Sequence, residues 1–248
     1  MARRYVIRQD AAPVAPISGI DYRTALNEEQ YAAVSSEPGP ALVIAGAGSG
    51  KTRTLTYRVA WLLDHGTDPW NILLLTFTNK AAREMTERVR SLIPLDLSRL
   101  WSGTFHSIAN RILRQHAEYL GYTPAFTIMD SDDRKSMIKS VVKSLKLDEK
   151  STRFPKPEVL SSLFSLADNE GANIRETLEN AYPYLSNHLD AILEVHDQYV
   201  ARKQETNSMD FDDLLLNVVR LFQEQEHLRA LYGSRFQHIL VEDRKSVV

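Results

Sequence analysis

An apolar run leads directly into a loop of small residues in the first fifth of the chain. Residues 41–44 read AlaLeuValIle, and residues 45–52 read AlaGlyAlaGlySerGlyLysThr. The apolar run predicts a buried strand, and Lys51 and Thr52 stand where the following helix is expected to begin. A strand, a glycine-rich loop and a helix in this order place backbone N–H groups around phosphates at a helix N-terminus. The pattern therefore predicts a site for a nucleoside triphosphate.

Each position of the loop has an expected task in such a site. Gly46, Gly48 and Gly50 allow positive φ and a close approach of the backbone to phosphate. Lys51 supplies a positive charge for the β- and γ-phosphates, and Thr52 offers its hydroxyl to Mg²⁺. The other positions of the expected nucleotide-binding segment are Ala45, Ala47 and Ser49.

One position departs from the strict phosphate-loop pattern. Ala45 stands where that pattern has its first glycine, and an alanine at a strand end is compatible with the loop. The alternative interpretation is a glycine-rich turn between a strand and a helix that binds nothing. Strand, loop, lysine and threonine all fit the nucleotide-binding interpretation, which we therefore prefer.

Composition narrows the classes of function. The 248 residues carry a formal net charge of -2, so any site for a polyanion must be a local patch. The absence of cysteine excludes disulfides, a thiolate nucleophile and cysteine-ligated metal. The apolar stretches are too short to span a bilayer, and the basic leader lacks the apolar core of a secretory signal. We expect a cytoplasmic protein without membrane partners.

Three further segments predict strands. Residues 72–77 form an almost unbroken apolar run, and weaker patterns cover residues 100–104 and 238–241. Unbroken runs fit parallel strands covered on both faces, and helical patterns separate these segments. The sequence therefore predicts an α/β fold with a parallel sheet. Together with residues 41–44 this gives four strands, fewer than such a sheet normally has, so we expect an incomplete sheet.

Strand patterns give way to amphipathic helical patterns between residues 106 and 206. We expect residues 21–105 and 207–248 to form the α/β domain and residues 106–206 to form an inserted all-helical subdomain. Residues 1–20 are expected to be a flexible extension. The helix that starts at Asp210 is expected to be the last one before the fourth strand.

Helix ends are also predicted. Asn27 is an expected N-cap, and the side chain of Gln30, three residues later, can reach back to it. The helix that starts at Asp210 is expected to have Asp213 at its third position. Thr78 is an expected cap of the helix after the second strand. The helix that begins at Lys51 is expected to end at Gly66.

Four short segments, taken together, resemble one family. They are LeuAsnGluGluGln at 26–30, ThrPheThrAsnLysAlaAla at 76–82, GlyThrPheHisSer at 103–107 and MetAspPheAspAspLeuLeu at 209–215. In this order and spacing they are similar to the superfamily 1 DNA helicases of the UvrD/Rep type, over roughly residues 22–243. The resemblance implies a RecA-like P-loop fold and the N-terminal part of an ATP-dependent, 3′ to 5′ DNA helicase or translocase. It also implies ATP and Mg²⁺ as cofactors and single-stranded and duplex DNA as partners.

The resemblance assigns roles to particular residues. Gln30 matches a glutamine that reads the adenine edge, for which an amide offers both a donor and an acceptor. Capping of its own helix is the alternative role. The residues expected to contact DNA are Thr76, Phe77, Thr78, Asn79 and Lys80 after one strand and Thr104, Phe105 and His106 after another.

Alternatives stay open for several of these positions. Phe77 either offers its face to a DNA base or is buried at the strand end. His106 either contacts DNA or bonds a backbone carbonyl. The acidic residues Asp210, Asp212 and Asp213 match another segment of the family, but carboxylates in a first helical turn stabilise a helix and repel phosphate. We therefore interpret them as architectural.

An acidic pair follows the last predicted strand. Glu242 and Asp243 match, in reversed order, the pair with which the family holds Mg²⁺ and activates water. By this resemblance Lys51, Glu242 and Asp243 are the catalytic residues, and Thr52 and Glu242 are the metal-binding residues. The reversal displaces the expected base by more than about an ångström, enough to slow the reaction on the order of a hundredfold. The alternative is that residues 242–248 form a tail without a selected role.

The family also requires a second RecA-like domain, which we expect to be absent from this chain. The leading hypothesis is the N-terminal ATP-binding part of a DNA helicase. Two alternatives stay open: an inert fragment that binds nucleotide and DNA weakly, and the N-terminus of a helicase–nuclease subunit.

Overall fold

Short strands alternate with helices in the computed structural model, which describes residues 17–147 and 154–242. The strands are β1 (Ile72–Thr76), β2 (Trp101–Thr104), β3 (Thr127–Ile128), β4 (Ser208–Met209) and β5 (His238–Glu242). The helices are α1 (Tyr22–Ala25), α2 (Glu28–Val34), α3 (Lys51–Asp64), α4 (Asn79–Leu92), α5 (Phe105–His116), α6 (Ser131–Ser144), α7 (Pro157–Glu170), α8 (Ile174–Ala181), α9 (Leu189–Glu205), α10 (Phe211–Glu224) and α11 (Glu226–Arg235). Asp243 and residues 1–16 of the predicted extension lie outside the described residues.

The main sheet has three parallel strands in the order β2–β1–β5. Thr76 at the end of β1 lies opposite Thr104 of β2 and Glu242 of β5. All five residues of β1 are buried, as an unbroken apolar run predicts for a central parallel strand. The strands predicted near residues 72–77, 100–104 and 238–241 are thus confirmed, and the fold is α/β.

The strand predicted at residues 41–44 is not formed. Leu42 is 86% exposed and Ile44 is 89% exposed, and within the described part of the chain this segment pairs with no strand. An apolar run shows that a segment can be buried, whereas pairing also requires its backbone groups to meet those of a partner. The carbonyl that directly follows the run is bonded instead by Lys51. Among the described residues, no strand pairs with the outer edge of β5, where Ile239 is 59% exposed.

Helices α3 and α4 pack on one face of the sheet. Their buried residues share a core with alternate residues of β1, in a cluster that includes Val59, Leu63, Ile72, Leu74, Met85 and Val89. The predicted ends are confirmed: Asn27 and Gln30 form a capping box, Thr78 caps α4, and Gly66 after α3 has a φ of 87°. This packing fixes α3 beside the sheet and so positions the glycine-rich loop that precedes it.

A buried carboxylate holds the start of the described chain. Asp64 is 0% exposed and accepts hydrogen bonds from the backbone N–H of Ile17 at 3.1 Å and of Ser18 at 2.9 Å. It also accepts from the Tyr22 hydroxyl at 2.6 Å and from the Ser18 hydroxyl. Burial opposes the charge, but these bonds lower the pKa of Asp64 below its usual value. Residues 17 and 18 are therefore fixed in place, which corrects the prediction of a flexible extension for this part of residues 1–20.

The chain divides into two compact units, Met1–Ile108 with Ala230–Val248, and Ala109–Arg229. The second unit is mainly helical, and its core contains Ile138, Leu160, Phe164, Ile192 and Tyr199. Residues 207–229, which we expected in the α/β domain, group with this helical unit. Its short parallel pair β3–β4 was not predicted, because two residues are too few to give a strand pattern. Within the described residues, no helix has the length and apolar character that crossing a membrane requires.

A second helix, α11, lies between α10 and β5, so the prediction that the helix after Asp210 is the last before the fourth strand is wrong. The segment has weak helix signals, since Gly233 and Ser234 have low helix propensity. Asp210 is the N-cap of α10 and forms a capping box with Asp213, which stands at the third helical position as predicted.

A buried ionic cluster joins the helices of the second unit. Asp210 is 1% exposed and lies 3.3 Å from the Lys203 ammonium, which also bonds both carboxylate oxygens of Asp213 at 2.7 Å. The Arg134 guanidinium bonds Asp212 and lies 3.7 Å from Asp210. The interpretation of these acidic residues as architectural agrees with these contacts, because buried charges persist only when paired.

Asp168 is the least favourably placed carboxylate of this cluster. The Arg134 guanidinium is 4.0 Å away, and Asp168 lies in the last turn of α7, where the helix dipole disfavours negative charge. Burial raises the pKa of Asp168 to about 6; Asp210 and Asp212 add to that increase, while Lys203 and Arg134 only partly offset it.

Asp168→Asn is expected to make the protein more stable at pH 7.5. A carboxyl whose pKa is raised on folding stabilises the fold while it is protonated, and this contribution is lost as pH rises through about 6. The variant is expected to gain on the order of 2 kcal/mol at pH 7.5 and to show a flatter stability profile between about pH 4 and 7. Urea unfolding across pH measures both. Glu170→Gln, in the same helical turn, is the control for the dipole effect, and an Asp168→Asn variant less stable than wild type at pH 7.5 would contradict the prediction.

Candidate functional site

The glycine-rich loop turns tightly before α3. Gly48 has a φ of 77° and Gly50, the N-cap of α3, has a φ of 86°. Gly46 does not have positive φ, contrary to our expectation for all three glycines. The Ser49 hydroxyl donates a hydrogen bond to the Gly46 carbonyl at 2.7 Å and closes the turn. The two residues with left-handed φ, Gly48 and Gly50, follow Gly46 in this turn. The loop is curled, as phosphate binding requires.

Lys51 folds back over the loop. Its ammonium donates hydrogen bonds to the carbonyls of Ala45 at 3.0 Å and Gly46 at 3.2 Å. A positive charge therefore lies on the loop itself, at the N-terminus of a 14-residue helix whose dipole adds to it. This combination favours an anion.

Gln30 contacts the loop as well as capping its own helix. Its amide nitrogen donates to the Ser49 carbonyl at 3.0 Å, and its amide oxygen accepts from the backbone N–H of Asn27 at 3.3 Å. A Cβ atom at Gly50 would lie 2.7 Å from this amide nitrogen. The Gln30 side chain therefore has the capping role considered for it, and it also lies beside the predicted nucleotide site, as the adenine-reading role requires.

Thr52 and Glu242 meet although 190 residues separate them. The Thr52 hydroxyl donates to Oε1 of Glu242, because α3 begins at the end of the sheet where β5 finishes. Glu242 is 7% exposed. The two residues predicted to bind metal are thus brought together, while Asp243 lies outside the described residues. Among the residues described, no group of three or more His, Cys, Asp or Glu could hold a metal ion.

The residues present fit a polyphosphate with a divalent cation. Glycine backbone with open space at positions 46 and 48, an ammonium and a helix N-terminus suit phosphate. A hydroxyl and one carboxylate suit Mg²⁺, which keeps several water ligands and needs few protein oxygens.

The segments predicted to contact DNA lie side by side after two neighbouring strands. Because Thr76 and Thr104 pair in register, the residues that follow them leave the sheet together. The rings of Phe77 and Phe105 are 6.1 Å apart at an interplanar angle of 63°. Phe77 is 63% exposed, which excludes the alternative that it is buried at the strand end.

The other predicted contact residues differ in access. Thr76 is 1% exposed as the last residue of β1, so its side chain is not available at the surface, and its prediction as a DNA contact is corrected. Thr78 uses its hydroxyl to cap α4, accepting from the backbone N–H of Ala81 at 3.1 Å. Asn79 and Lys80 are exposed on the first turn of α4, where Lys80 is 3.9 Å from Glu84.

The second segment begins α5. The Thr104 hydroxyl accepts from the backbone N–H of Ser107 at 3.2 Å, and Phe105 and His106 are half-buried. A Cβ atom at Gly103 would collide with the Ser107 hydroxyl, so a larger residue where β2 meets α5 would force the Ser107 side chain to move.

The motifs in the sequence did not predict the groove that lies beside these segments. A cavity of about 310 Å³ is lined by charged and hydroxyl side chains that include Arg83, Thr86, Arg90, Ser102 and Ser107. The hydroxyls of Thr86 and Ser102 are 3.0 Å apart. The signal that could have found these residues is the spacing of Arg83, Thr86 and Arg90 along one face of α4.

A glycine-rich loop that enters a helix at the carboxyl edge of a parallel sheet is the arrangement of α/β nucleotide-binding proteins. Comparison with known protein families identifies one family within this class. The chain belongs to the UvrD/REP helicase N-terminal domain family, whose model matches residues 26–243.

Individual relatives agree with the family. The chain is 39% identical over 219 residues to the ATP-dependent DNA helicase PcrA of Staphylococcus aureus and 40% identical over 219 residues to that of Staphylococcus epidermidis. Each match covers 88% of this chain and 29% of the relative. The chain thus spans less than a third of the length of these relatives.

Alanine substitutions at the three loop glycines are expected to differ in their cost. Gly46→Ala is expected to change stability by less than about 0.5 kcal/mol, because the site is open and φ is not positive. Gly48→Ala is expected to cost about 1 kcal/mol for its left-handed φ. Gly50→Ala is expected to cost about 1–2 kcal/mol, since it also displaces Gln30 from Ser49. Urea unfolding of the three variants measures this order, and equal costs would contradict it.

Proposed function

We propose that this chain is the N-terminal ATP-binding part of an ATP-dependent DNA helicase or translocase with a RecA-like P-loop fold. The observation that carries the proposal is the convergence of Lys51, Thr52 and Glu242 around a curled glycine-rich loop. Membership of the UvrD/REP family and the names of the relatives support it. Movement from 3′ to 5′ and a cytoplasmic location remain predictions from the resemblance and the composition.

The proposed nucleotide site assigns one task to each group. Backbone N–H groups of residues 46–50 and the Lys51 ammonium bind the phosphates, and the Gln30 amide recognises the adenine edge. Thr52 and Glu242 would hold Mg²⁺, which when bound would supply positive charge to offset that of the phosphates. Asp243 as the base that orients the attacking water remains a prediction.

The proposed DNA site begins at the exposed rings. Phe77, next to Phe105, offers a face on which a base of a single strand can stack, and stacking is indifferent to sequence. Asn79 and Lys80 on α4 supply a hydrogen-bond donor and a positive charge for the backbone. Thr104 and His106 remain proposed contacts of the second segment.

The alternative proposal is a chain that binds nucleotide without turning it over. The reversed order of Glu242 and Asp243 favours it, since a base displaced by about an ångström loses much of its rate.

Lys51→Ala is expected to weaken binding of Mg·ATP at least about tenfold, because it removes the charge that faces the phosphates. Isothermal calorimetry on the purified chain measures the affinity, and Arg88→Ala, an exposed cation elsewhere on the same unit, is the control. A DNA-stimulated hydrolysis assay then separates the two proposals. Turnover well above that of Lys51→Ala supports the hydrolysing form, and binding without turnover supports the alternative.

Phe77→Ala is expected to weaken binding of a single-stranded oligonucleotide about tenfold, the loss of one base–aromatic stack. Fluorescence anisotropy with a labelled oligothymidine measures the change. Tyr184→Ala removes another aromatic side chain, 70% exposed and remote in sequence from both candidate segments, and is expected to leave the affinity unchanged. Equal losses in both variants would contradict a specific role for Phe77.

A further inference from the structure

The helical unit contains a cavity that neither proposed site uses. Its volume is about 410 Å³, within the range of roughly 300–1,000 Å³ that small-molecule sites have. The cavity lies where α7 ends, the chain turns at Gly171 and α8 begins, and α9 supplies a further wall. Its lining includes Ala167, Asp168, Ile174, Arg175, Leu193 and His196. Apolar walls with a few polar groups are typical of a ligand site.

Asp168 brings an unbonded carboxylate to this cavity. No described residue donates a hydrogen bond to it, and its ion pair with Arg134 is long, at 4.0 Å. Its side chain is 26% exposed, against 16% or less for the other three carboxylates of the buried ionic cluster. Those three accept the hydrogen bonds that Arg134 and Lys203 donate to the cluster. Asp168 is therefore the carboxylate of this cluster that is most accessible to a ligand.

We propose that this cavity binds a primary ammonium group on a short alkyl stem, with the Asp168 carboxylate as its counter-ion. Such a group belongs either to a free alkyl amine or to a lysine side chain of another protein. The proposal is independent of the nucleotide and DNA sites, because it shares no residue with them.

The polar groups of the cavity suit the three N–H donors of an ammonium. Asp168 offers carboxylate oxygens, and His196 offers a ring nitrogen. Burial, and then the charge of Lys203, lower the pKa of His196, so its ring is neutral at pH 7.5 and does not repel a cation. The Asp197 carboxylate, 82% exposed and 3.8 Å from Nδ1 of His196, adds negative charge beside the cavity.

The walls suit an alkyl stem. Ala167 and Ile174 are buried and Leu193 is half-buried, so apolar side chains would cover the stem and exclude water from it. Arg175 is exposed on the first turn of α8, where water and salt screen its charge. The less exposed Asp168 therefore determines which sign of charge the cavity favours. Among the residues described, no group of three or more His, Cys, Asp or Glu could hold a metal ion instead.

The energetics of Asp168 agree with such a role. Its ionised form lowers stability at neutral pH, because burial disfavours the charge and Arg134 and Lys203 offset that effect only in part. A bound ammonium would supply the missing partner and its hydrogen bonds. A group that lowers the stability of the fold and gains from a ligand is typical of functional sites.

Methyl NMR on the full chain, labelled at isoleucine and leucine and titrated with pentylamine at pH 7.5, tests the proposal. We expect saturable shifts of the Ile174 and Leu193 signals and none of Leu231, which is 53% exposed in the other unit. Asp168→Asn, which we expect to fold stably, should weaken binding at least about tenfold by removing the charged acceptor. Glu170→Gln is the matched control and should bind as wild type. 1-Pentanol, which has the stem without the ammonium, should bind at least about tenfold more weakly.

A lysine capped at both ends, N-acetyl-lysine methylamide, distinguishes the two sources of the ammonium. Shifts with capped lysine assign the site to a lysine side chain of another protein, whereas shifts with pentylamine alone assign it to a free amine. Either result supports the proposal if Asp168→Asn abolishes or weakens it. The proposal is overturned if neither probe shifts the Ile174 and Leu193 signals at millimolar concentration. Equal affinity for 1-pentanol, or unchanged affinity in Asp168→Asn, overturns it as well.

Discussion

The pairing of β1 with a parallel neighbour on each side is the constraint on which both candidate sites depend. Because β2, β1 and β5 run in one direction, their carboxyl ends meet at one edge, where Thr76 lies opposite both Thr104 and Glu242. That register places Phe77 beside Phe105 and leaves Glu242 within reach of α3. A shift of one residue in the pairing of β1 would separate these groups.

The shared edge contains two chemically different environments. Glu242 is 7% exposed and bonded to Thr52, whereas Phe77 is 63% exposed. A buried carboxylate at a helix N-terminus suits chemistry from which bulk water is excluded, and exposed rings suit a polymer that must enter and leave. In the proposed function, this one edge of the sheet would therefore bind both the nucleotide and the DNA strand, at neighbouring positions.

Local signals in the sequence predicted local structure well. The caps at Asn27 and Thr78 and the helix start at Asp210 were confirmed, because these features depend only on residues within one turn. The failures concern long-range pairing: residues 41–44 have the composition of a strand, but composition does not supply a partner. The contact between Thr52 and Glu242 followed from the family resemblance, whereas the contact of Asp64 with residues 17 and 18 has no sequence signal, since 46 residues separate Ser18 from its acceptor.

The Asp64 contact bears on where the folded α/β unit starts. The match to the family model begins at residue 26, yet the carboxylate of Asp64, the last residue of α3, accepts its hydrogen bonds from Ile17, Ser18 and Tyr22. A polypeptide that begins at residue 26 would leave the buried Asp64 carboxylate without these hydrogen-bond donors. An unsatisfied buried carboxylate would lower the stability of the unit. The region that matches the family model is therefore shorter than the region that the folded α/β unit needs. The additional residues are those that donate hydrogen bonds to Asp64.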